Sequence, residues 1–110
     1  MLSKKELIKF QKDLITQPID TLLKASVKAG LHELIISFEN KDNYIVDGVK
    51  CYDLLNSNPW IVEEYKANGL LEEYEQENNN PQDLSSLTSE EYEYYLRKGS
   101  YIKKAYRFSW

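Results

Sequence analysis

The 110-residue sequence is poor in the residues that build most catalytic and metal sites: it has one cysteine, one histidine and four glycines. The lone Cys51 cannot form an internal disulfide or a multi-cysteine metal site, and we expect it to be a small buried apolar residue. His32 stands outside any HxH or HExxH motif, the scattered glycines form no phosphate-binding loop, and no serine occupies a nucleophile elbow. The sequence therefore predicts no catalytic residues, no metal and no cofactor.

Long hydrophobic runs are also missing. The longest are a few residues, such as Leu34-Ile35-Ile36, whereas a membrane span needs roughly 20. The lysines near the start are followed by Phe10-Gln11-Lys12-Asp13 instead of the apolar core of a signal peptide. We therefore expect no membrane contact and a cytoplasmic location, in keeping with the single cysteine.

The composition is that of a folded domain, with 42% hydrophobic and 29% charged residues. A chain of this length is typical of one domain, and we predict one over residues 1–110. We find no internal repeat.

The first thirty residues have helical periodicity. Ser3-Lys4-Lys5-Glu6 matches a capping box, and an apolar stripe follows it at three- and four-residue spacing. Pro18 disfavours helical geometry at the residue before it, so we predict either two helices or one kinked helix, ending near Gly30. The predicted apolar stripe consists of Leu7, Phe10, Leu14, Ile15, Ile19, Leu22, Leu23 and Val27.

The pattern changes after His32. Residues 34–38 are short, branched and aromatic, a polar cluster follows at 40–43, and residues 44–46 read as a return strand. The sequence predicts an antiparallel hairpin here, with residues 49–52 as a third strand after an Asp47-Gly48 turn.

Short helices are predicted next. Asn58-Pro59 provides an N-cap and a proline at the first helical position, with a stop at Asn68-Gly69. Residues 70–74 suggest a further helical turn, and residues 76–88, rich in asparagine and serine, suggest a mobile surface loop.

The last segment combines a helix and a strand. Thr88-Ser89-Glu90-Glu91 is a second capping box, opening a helix to Gly99. Tyr106, Phe108 and Trp110 then alternate with polar residues as in a half-buried strand, although a helix continuing from Tyr101 also fits. The predicted fold class is α+β.

Charge is distributed unevenly along the chain. Residues 1–30 carry six lysines and three acids, residues 31–96 three lysines and fifteen acids, and residues 97–110 five basic residues and no acid. The net charge of −4 therefore hides an acidic middle between two basic ends. Such a block repels nucleic acid and attracts cationic surfaces.

Tyrosines interleave with these acids, as in Glu73-Tyr74-Glu75 and Glu91-Tyr92-Glu93. One interpretation is a set of solvated helix faces, partly paired with the basic ends. The other is a binding face, because tyrosine supplies rigid contact area while carboxylates supply steering toward a basic protein. The predicted partner-binding residues are Glu63, Glu64, Tyr65, Glu72, Glu73, Tyr74, Glu75, Glu77, Glu90, Glu91, Tyr92 and Glu93.

Three weaker hypotheses accompany this one. Arg97-Lys98 and Lys103-Lys104, near Tyr101, Tyr106, Phe108 and Trp110, have the residue types that stack on single-stranded nucleic acid, although the acidic chain makes this a minor alternative. Asp20 with Glu39 and Lys41 is a permissible spacing for a minimal metal-dependent nuclease, although Asp20 falls in a predicted helix. Adjacent pairs such as Glu63-Glu64 point about 100° apart and cannot share a proton unaided.

In size and composition the chain resembles small accessory inhibitors of phages and mobile elements, including anti-CRISPR and anti-restriction proteins that mimic nucleic acid, and equally toxin-immunity proteins. This resemblance implies a non-enzymatic inhibitor, monomeric or dimeric, that blocks a basic nucleic-acid-binding enzyme or toxin. The alternative class is a phage assembly or adaptor protein, which would self-associate through Tyr106, Phe108 and Trp110.

Overall fold

The fold is α+β, as predicted. The computed structural model describes residues 1–79 and 84–110 in full and residues 81–83 by their backbone. The helices are α1 (Lys4–Lys28), α2 (Cys51–Ser57), α3 (Pro59–Ala67) and α4 (Ser89–Lys98), with short 3-10 helices at Lys41–Asn43 and Pro81–Ser86. The strands are β1 (Glu33–Ile36), β2 (Ile45–Val46), β3 (Val49–Lys50), β4 (Leu71–Asn78) and β5 (Tyr101–Ser109).

Of the two predicted alternatives, a helix pair or one kinked helix, the structure has a single helix, α1, with Pro18 inside it. Ser3 caps its start, because the Ser3 hydroxyl accepts a hydrogen bond from the Glu6 N–H at 3.2 Å. Gly30, with φ of 82°, allows the chain to reverse after the last turn, as predicted. Proline removes only one backbone donor, and Leu14, whose carbonyl is freed four residues earlier, is exposed to water that can solvate it.

The first half of α1 extends beyond the body of the protein. Residues 1–15, which we name the N-terminal arm, are all exposed, and burial begins at Thr16 and Ile19. The first half of the predicted apolar stripe is therefore uncovered: Leu7, Phe10, Leu14 and Ile15 are 52%, 63%, 53% and 40% exposed. Val27 is 54% exposed as well. The molecule measures 58 Å along its longest axis, and its 16.0 Å radius of gyration exceeds the ~13 Å expected for a compact domain of this length.

The main sheet has the strand order β1-β5-β4, and both pairings are antiparallel. The predicted hairpin between residues 34–38 and 44–46 is wrong, because β1 pairs with β5, with Leu34 opposite Phe108 and Ile36 opposite Tyr106. The predicted C-terminal strand is confirmed and begins at Tyr101, so the helical alternative is wrong.

A separate two-stranded sheet contains the predicted Asp47-Gly48 turn. Asp47 and Gly48 have φ values of 51° and 79°, as a tight hairpin turn requires, and they join β2 to β3. The predicted third strand over 49–52 stops at Lys50, because Cys51 and Tyr52 begin α2, a helix that the sequence reading missed.

The helices α3 and α4 begin and end where predicted. Asn58 is the residue before α3 and Pro59 its first residue, but the Asn58 amide donates to the Leu54 carbonyl at the end of α2 and does not cap α3. In α4 the full capping box is present: the Thr88 hydroxyl accepts from the Glu91 N–H, and the Glu91 carboxylate accepts from the Thr88 N–H.

The largest error lies at residues 70–88. Residues 71–74, predicted as helix, form the start of β4, and 76–78, predicted as loop, form its end. Pro81–Ser86 is a 3-10 helix. The part of the predicted loop at residue 80 lies outside the described residues.

The core forms between the sheet and the helices. Phe108 meets Tyr65 of α3 in an edge-to-face contact with ring centres 5.4 Å apart, and Phe38 meets Tyr101 in the same way at 5.8 Å. Cys51 is fully buried, as expected, and burial raises the pKa of its thiol. The largest fully buried side chains are Tyr101, Tyr106, Phe108, Ile19, Ile36, Leu55, Ile61, Asn78 and Cys51.

Candidate protein-binding surface

The acidic strand β4 lies directly beside the basic strand β5. Their register places Glu72 opposite Arg107 and Glu75 opposite Lys104. Opposite charges at cross-strand positions stabilise a sheet by roughly 0.2–1 kcal/mol per pair. Lys104 forms its ion pair with Glu73, and Arg107 forms its ion pair with Glu33. Among the described residues, Glu72 and Glu75 therefore lie opposite these cations without a direct ion pair.

Glu73 is the most engaged acid of this strand. Its carboxylate lies 3.0 Å from the ammonium of Lys104 and 3.9 Å from that of Lys66, and only 23% of the side chain is exposed. It also lies opposite Tyr106, whose pKa is raised to about 12 by burial and then by the negative charge of Glu73. Glu73 therefore stabilises the fold through its ion pairs.

Glu91 is the second acid with a structural role. Its carboxylate accepts from the Lys103 ammonium at 2.8 Å as well as from the Thr88 N–H at 2.9 Å. Burial disfavours the charged carboxylate, but the hydrogen bonds from Lys103 and Thr88 outweigh it and hold the pKa of Glu91 below its ordinary value. The pair fastens the start of α4 to β5.

The acids of α3 form looser pairs. Glu64 lies 3.3 Å from Lys12 of the arm, with both side chains 49% exposed, and Glu63 lies 3.5 Å from Lys66. Exposed pairs of this kind contribute at most about 1 kcal/mol. Glu63 and Glu64 thus stay accessible to a partner.

Tyr65 is not a surface residue, which corrects its assignment to the predicted face. It is 8% exposed, it packs on Phe108, and its hydroxyl donates to the Asp20 carboxylate at 2.7 Å. Burial and the Asp20 carboxylate both raise the pKa of its phenol. Tyr74 is half-buried, whereas Tyr92 is 44% exposed.

Four exposed acids remain without an ion pair in the part of the chain that the structure describes, on one side of β4 and on α4. Glu75 and Glu77 share a side of β4 because strand residues alternate, and Glu90 and Glu93 share a side of α4 because they are three apart. Glu77 accepts a hydrogen bond from the Ser100 hydroxyl at 2.6 Å. We name Glu75, Glu77, Glu90, Tyr92 and Glu93 the acidic surface.

A shallow pocket lies between β4, β5 and the start of α4, and Glu75 is the residue of the acidic surface that lines it. Its volume is about 320 Å³, and Glu75 lines it together with Thr88 and Glu91 at the start of α4. Asn56, Ile102, Lys103 and Lys104 complete the lining. Strand alternation therefore places Glu73, Glu75 and Glu77 on one side of β4, and the pocket brings Glu75 near Glu91 at the start of α4.

Glu72 is separated from that region. By alternation its side chain points to the opposite side of β4 from Glu73 and Glu75, and it lines a different pocket with Tyr74 and Arg107. Arg107 is already paired with Glu33 at 2.7 Å. The predicted set therefore divides between two sides of the sheet.

The aromatic residues proposed to stack on nucleic acid are mostly inside the protein. Tyr101, Tyr106 and Phe108 are at most 1% exposed, so they offer no face to a base. Lys103 and Lys104 are paired with Glu91 and Glu73. Self-association through Tyr106 and Phe108 is excluded by the same burial, and of the three residues proposed for it only Trp110 is at the surface.

The residues of the nuclease hypothesis do not form a ligand cluster. Asp20 lies within α1, as expected, and accepts hydrogen bonds from Tyr65 and from the Thr16 hydroxyl. Among the described residues, no three His, Cys, Asp or Glu side chains converge as metal ligands would.

Sequence reasoning missed the exposed apolar side of the arm and the pairing of β4 with β5. The alternation of Tyr106, Phe108 and Trp110 with Arg107 and Ser109 carries a strand signal, but no local pattern names β4 as its partner.

No family model, curated protein or solved structure matches this chain. Within residues 1–79 and 81–110, no helix has both the length and the apolar character that crossing a bilayer requires.

Proposed function

We propose that the protein is a non-enzymatic inhibitor that covers a basic site on a partner protein with its acidic surface. The observation that carries the proposal is the set of four exposed carboxylates, Glu75, Glu77, Glu90 and Glu93, that have no ion-pair partner within the described chain. The same chain neutralises Glu73 and Glu91 with lysines, so on this side of β4 and on α4 these four are the charges left for another molecule.

The arrangement also suits binding because the repulsion between these acids destabilises the free protein, and a cationic partner would relieve it. Like charges three apart on a helix repel each other, which costs roughly 0.2–0.5 kcal/mol for a pair such as Glu90 and Glu93. A cationic partner relieves this repulsion and is steered toward the surface at long range. Tyr92, next to these acids and 44% exposed, supplies contact area of the kind enriched at interfaces.

A basic nucleic-acid-binding enzyme and a basic toxin would present the same chemistry to this surface. In the first case the carboxylates stand in for phosphates in a binding groove, and in the second they cover a toxin's active site. The identity of the captured partner separates an anti-restriction or anti-CRISPR inhibitor from an immunity protein.

The test is capture of partners from the source cell's lysate by the wild type and by a variant with Glu75→Lys, Glu90→Lys and Glu93→Lys. This variant spares Glu73 and Glu91, whose ion pairs support the fold. The matched control reverses three exposed acids elsewhere, Glu39→Lys, Asp53→Lys and Glu72→Lys, so that the net charge changes equally.

We expect a basic enzyme or toxin to be retained by the wild type and the control and lost by the acidic-surface variant. The purified partner should then lose its activity when the wild type is added, with weaker inhibition at higher salt. Equal recovery of the same proteins by all three, or a captured partner whose activity is unchanged, would reject the proposal.

A further inference from the structure

The N-terminal arm carries an amphipathic helix whose apolar side is uncovered. Leu7, Phe10 and Leu14 lie at i, i+3 and i+7 on one side, flanked by Ile8 and Ile15. These five residues are between 40% and 63% exposed. Scattered exposed apolar residues are ordinary, but a contiguous group on one helix marks an interaction site.

The body of the protein contacts the other side of the arm. Lys12 lies 3.3 Å from Glu64 and 5.6 Å from the centre of the Trp60 ring. Lys5, Lys9 and Lys12 are spaced i, i+4 and i+7, and all three line a pocket with Glu64. Ile8 also lines this pocket. The basic side of the arm therefore faces the body, and the side with Leu7, Phe10 and Leu14 faces away from it.

A helix in this position gains little stability from its own chain. Residues 4–15 form three turns, about 18 Å, and a helix of this length alone in water is marginal even with good helix formers. Most helical stability in proteins comes from packing an apolar side, and here that side has nothing to pack on within the described residues.

We propose that the apolar side of the arm pairs with the arm of a second copy of this chain. Leu7 and Leu14 are seven residues apart, and Ile8, Ile15 and Leu22 have the same spacing. A seven-residue repeat of apolar residues keeps one side of a helix packed against another helix. A second copy offers an identical helix, so a two-fold interface needs no further surface.

The exposed apolar area agrees with a small dimer interface. The five residues and Leu2 leave about half of their surface exposed, on the order of 600 Å² per copy, so that two copies would bury at most about 1,200 Å², the lower bound for specific interfaces. Lipid is a poorer match than a helix, because three of the four lysines of the arm, Lys5, Lys9 and Lys12, line the pocket that faces the body and not the apolar side. The dimer does not depend on the acidic surface, which lies on β4 and α4.

The test is sedimentation equilibrium of the full chain over a range of concentrations, with a Leu7→Glu, Leu14→Glu variant and a Lys9→Glu control on the opposite side of the arm. We expect the wild type and the control to dimerise and the double variant to bind itself about a hundredfold more weakly. Because both leucines are exposed, the variant should unfold at the same temperature as the wild type when both are measured as monomers.

Hydrogen exchange gives a second readout that does not depend on the variant. The amides of residues 4–15 should exchange more slowly as the wild-type concentration rises, whereas those of β5 should not change. A wild type that stays monomeric at the highest concentration, or a double variant that associates as strongly as the wild type, overturns the proposal. So does a monomer that binds anionic phosphatidylserine vesicles through the same leucines.

Discussion

The Lys103 ammonium lies 2.8 Å from the Glu91 carboxylate, and only 13% and 21% of these two side chains are exposed. Lys103 also stands 4.9 Å from the centre of the Phe38 ring, so its charge contacts both a carboxylate and an aromatic face. The pair joins α4, β5 and the segment after β1. It therefore links α4, which carries Glu90, Tyr92 and Glu93 of the acidic surface, to the core.

Glu91→Gln should lower the free energy of unfolding by about 1 kcal/mol at neutral pH, because it removes the charge that pairs with Lys103. Glutamine can still accept from the Thr88 N–H, so the helix cap is retained and the loss reports on the ion pair. Urea unfolding measures the difference. Glu90→Gln, which changes an exposed neighbour without an ion pair, is the control and should have little effect.

The same substitution should alter the pH dependence of stability. The pKa of Glu91 is lowered in the folded state, so the unfolded state binds the proton more tightly. The stabilisation is fully present above the unfolded value of about 4.5 and is lost as the pH falls through the lower folded value. The difference in free energy of unfolding between the wild type and Glu91→Gln should therefore become smaller in acid. A difference that is constant with pH would contradict this role of Glu91.

Tyr65→Phe should destabilise the protein by about 1–2 kcal/mol, because Asp20 then loses its shortest hydrogen bond at a partly buried position. The phenyl ring keeps its packing against Phe108, so the loss isolates the hydroxyl. Thermal or urea unfolding measures it, with Tyr92→Phe at the surface as the control. If the two variants are equally stable, the Tyr65–Asp20 hydrogen bond does not contribute to the free energy of unfolding.

Cys51 should resist thiol reagents in the folded protein, because it is fully buried and burial raises the pKa of its thiol. We expect its reaction to be at least about a hundredfold slower than in urea. An added exposed thiol, Lys9→Cys, should react rapidly under both conditions. Fast modification of Cys51 in the wild type would mean that the N-terminus of α2 opens readily.

The parts of the fold that sequence predicted correctly depend on short-range chemistry. The Ser3 and Thr88 caps, Pro59 at a helix start, the Asp47-Gly48 turn and the glycines that end helices each require only neighbours in sequence. The alternation of Tyr106 and Phe108 likewise identified a strand without its partners.

The errors come from contacts between distant residues. Residues 71–78 contain four glutamates, which favour helix, yet they form a strand because eight positions pair with β5. Leu7 and Leu14 have the spacing of a core stripe, but α1 extends past the body that would cover them. In the candidate site, sequence found the exposed acids, but only the strand register separated Glu72 from Glu75 and removed Glu73 and Glu91 as free charges.

The central position of β5 also dictates the timing of folding. Both of its neighbours, β1 and β4, precede it in the chain, and neither pairs with the other. On the ribosome these two strands must wait, with their backbone groups solvated, until β5 has been synthesised. The three-stranded sheet then forms by long-range contacts, so its assembly is slower than that of the helices. Until then, the unpaired backbone groups of β1 and β4 are covered by water or by chaperones.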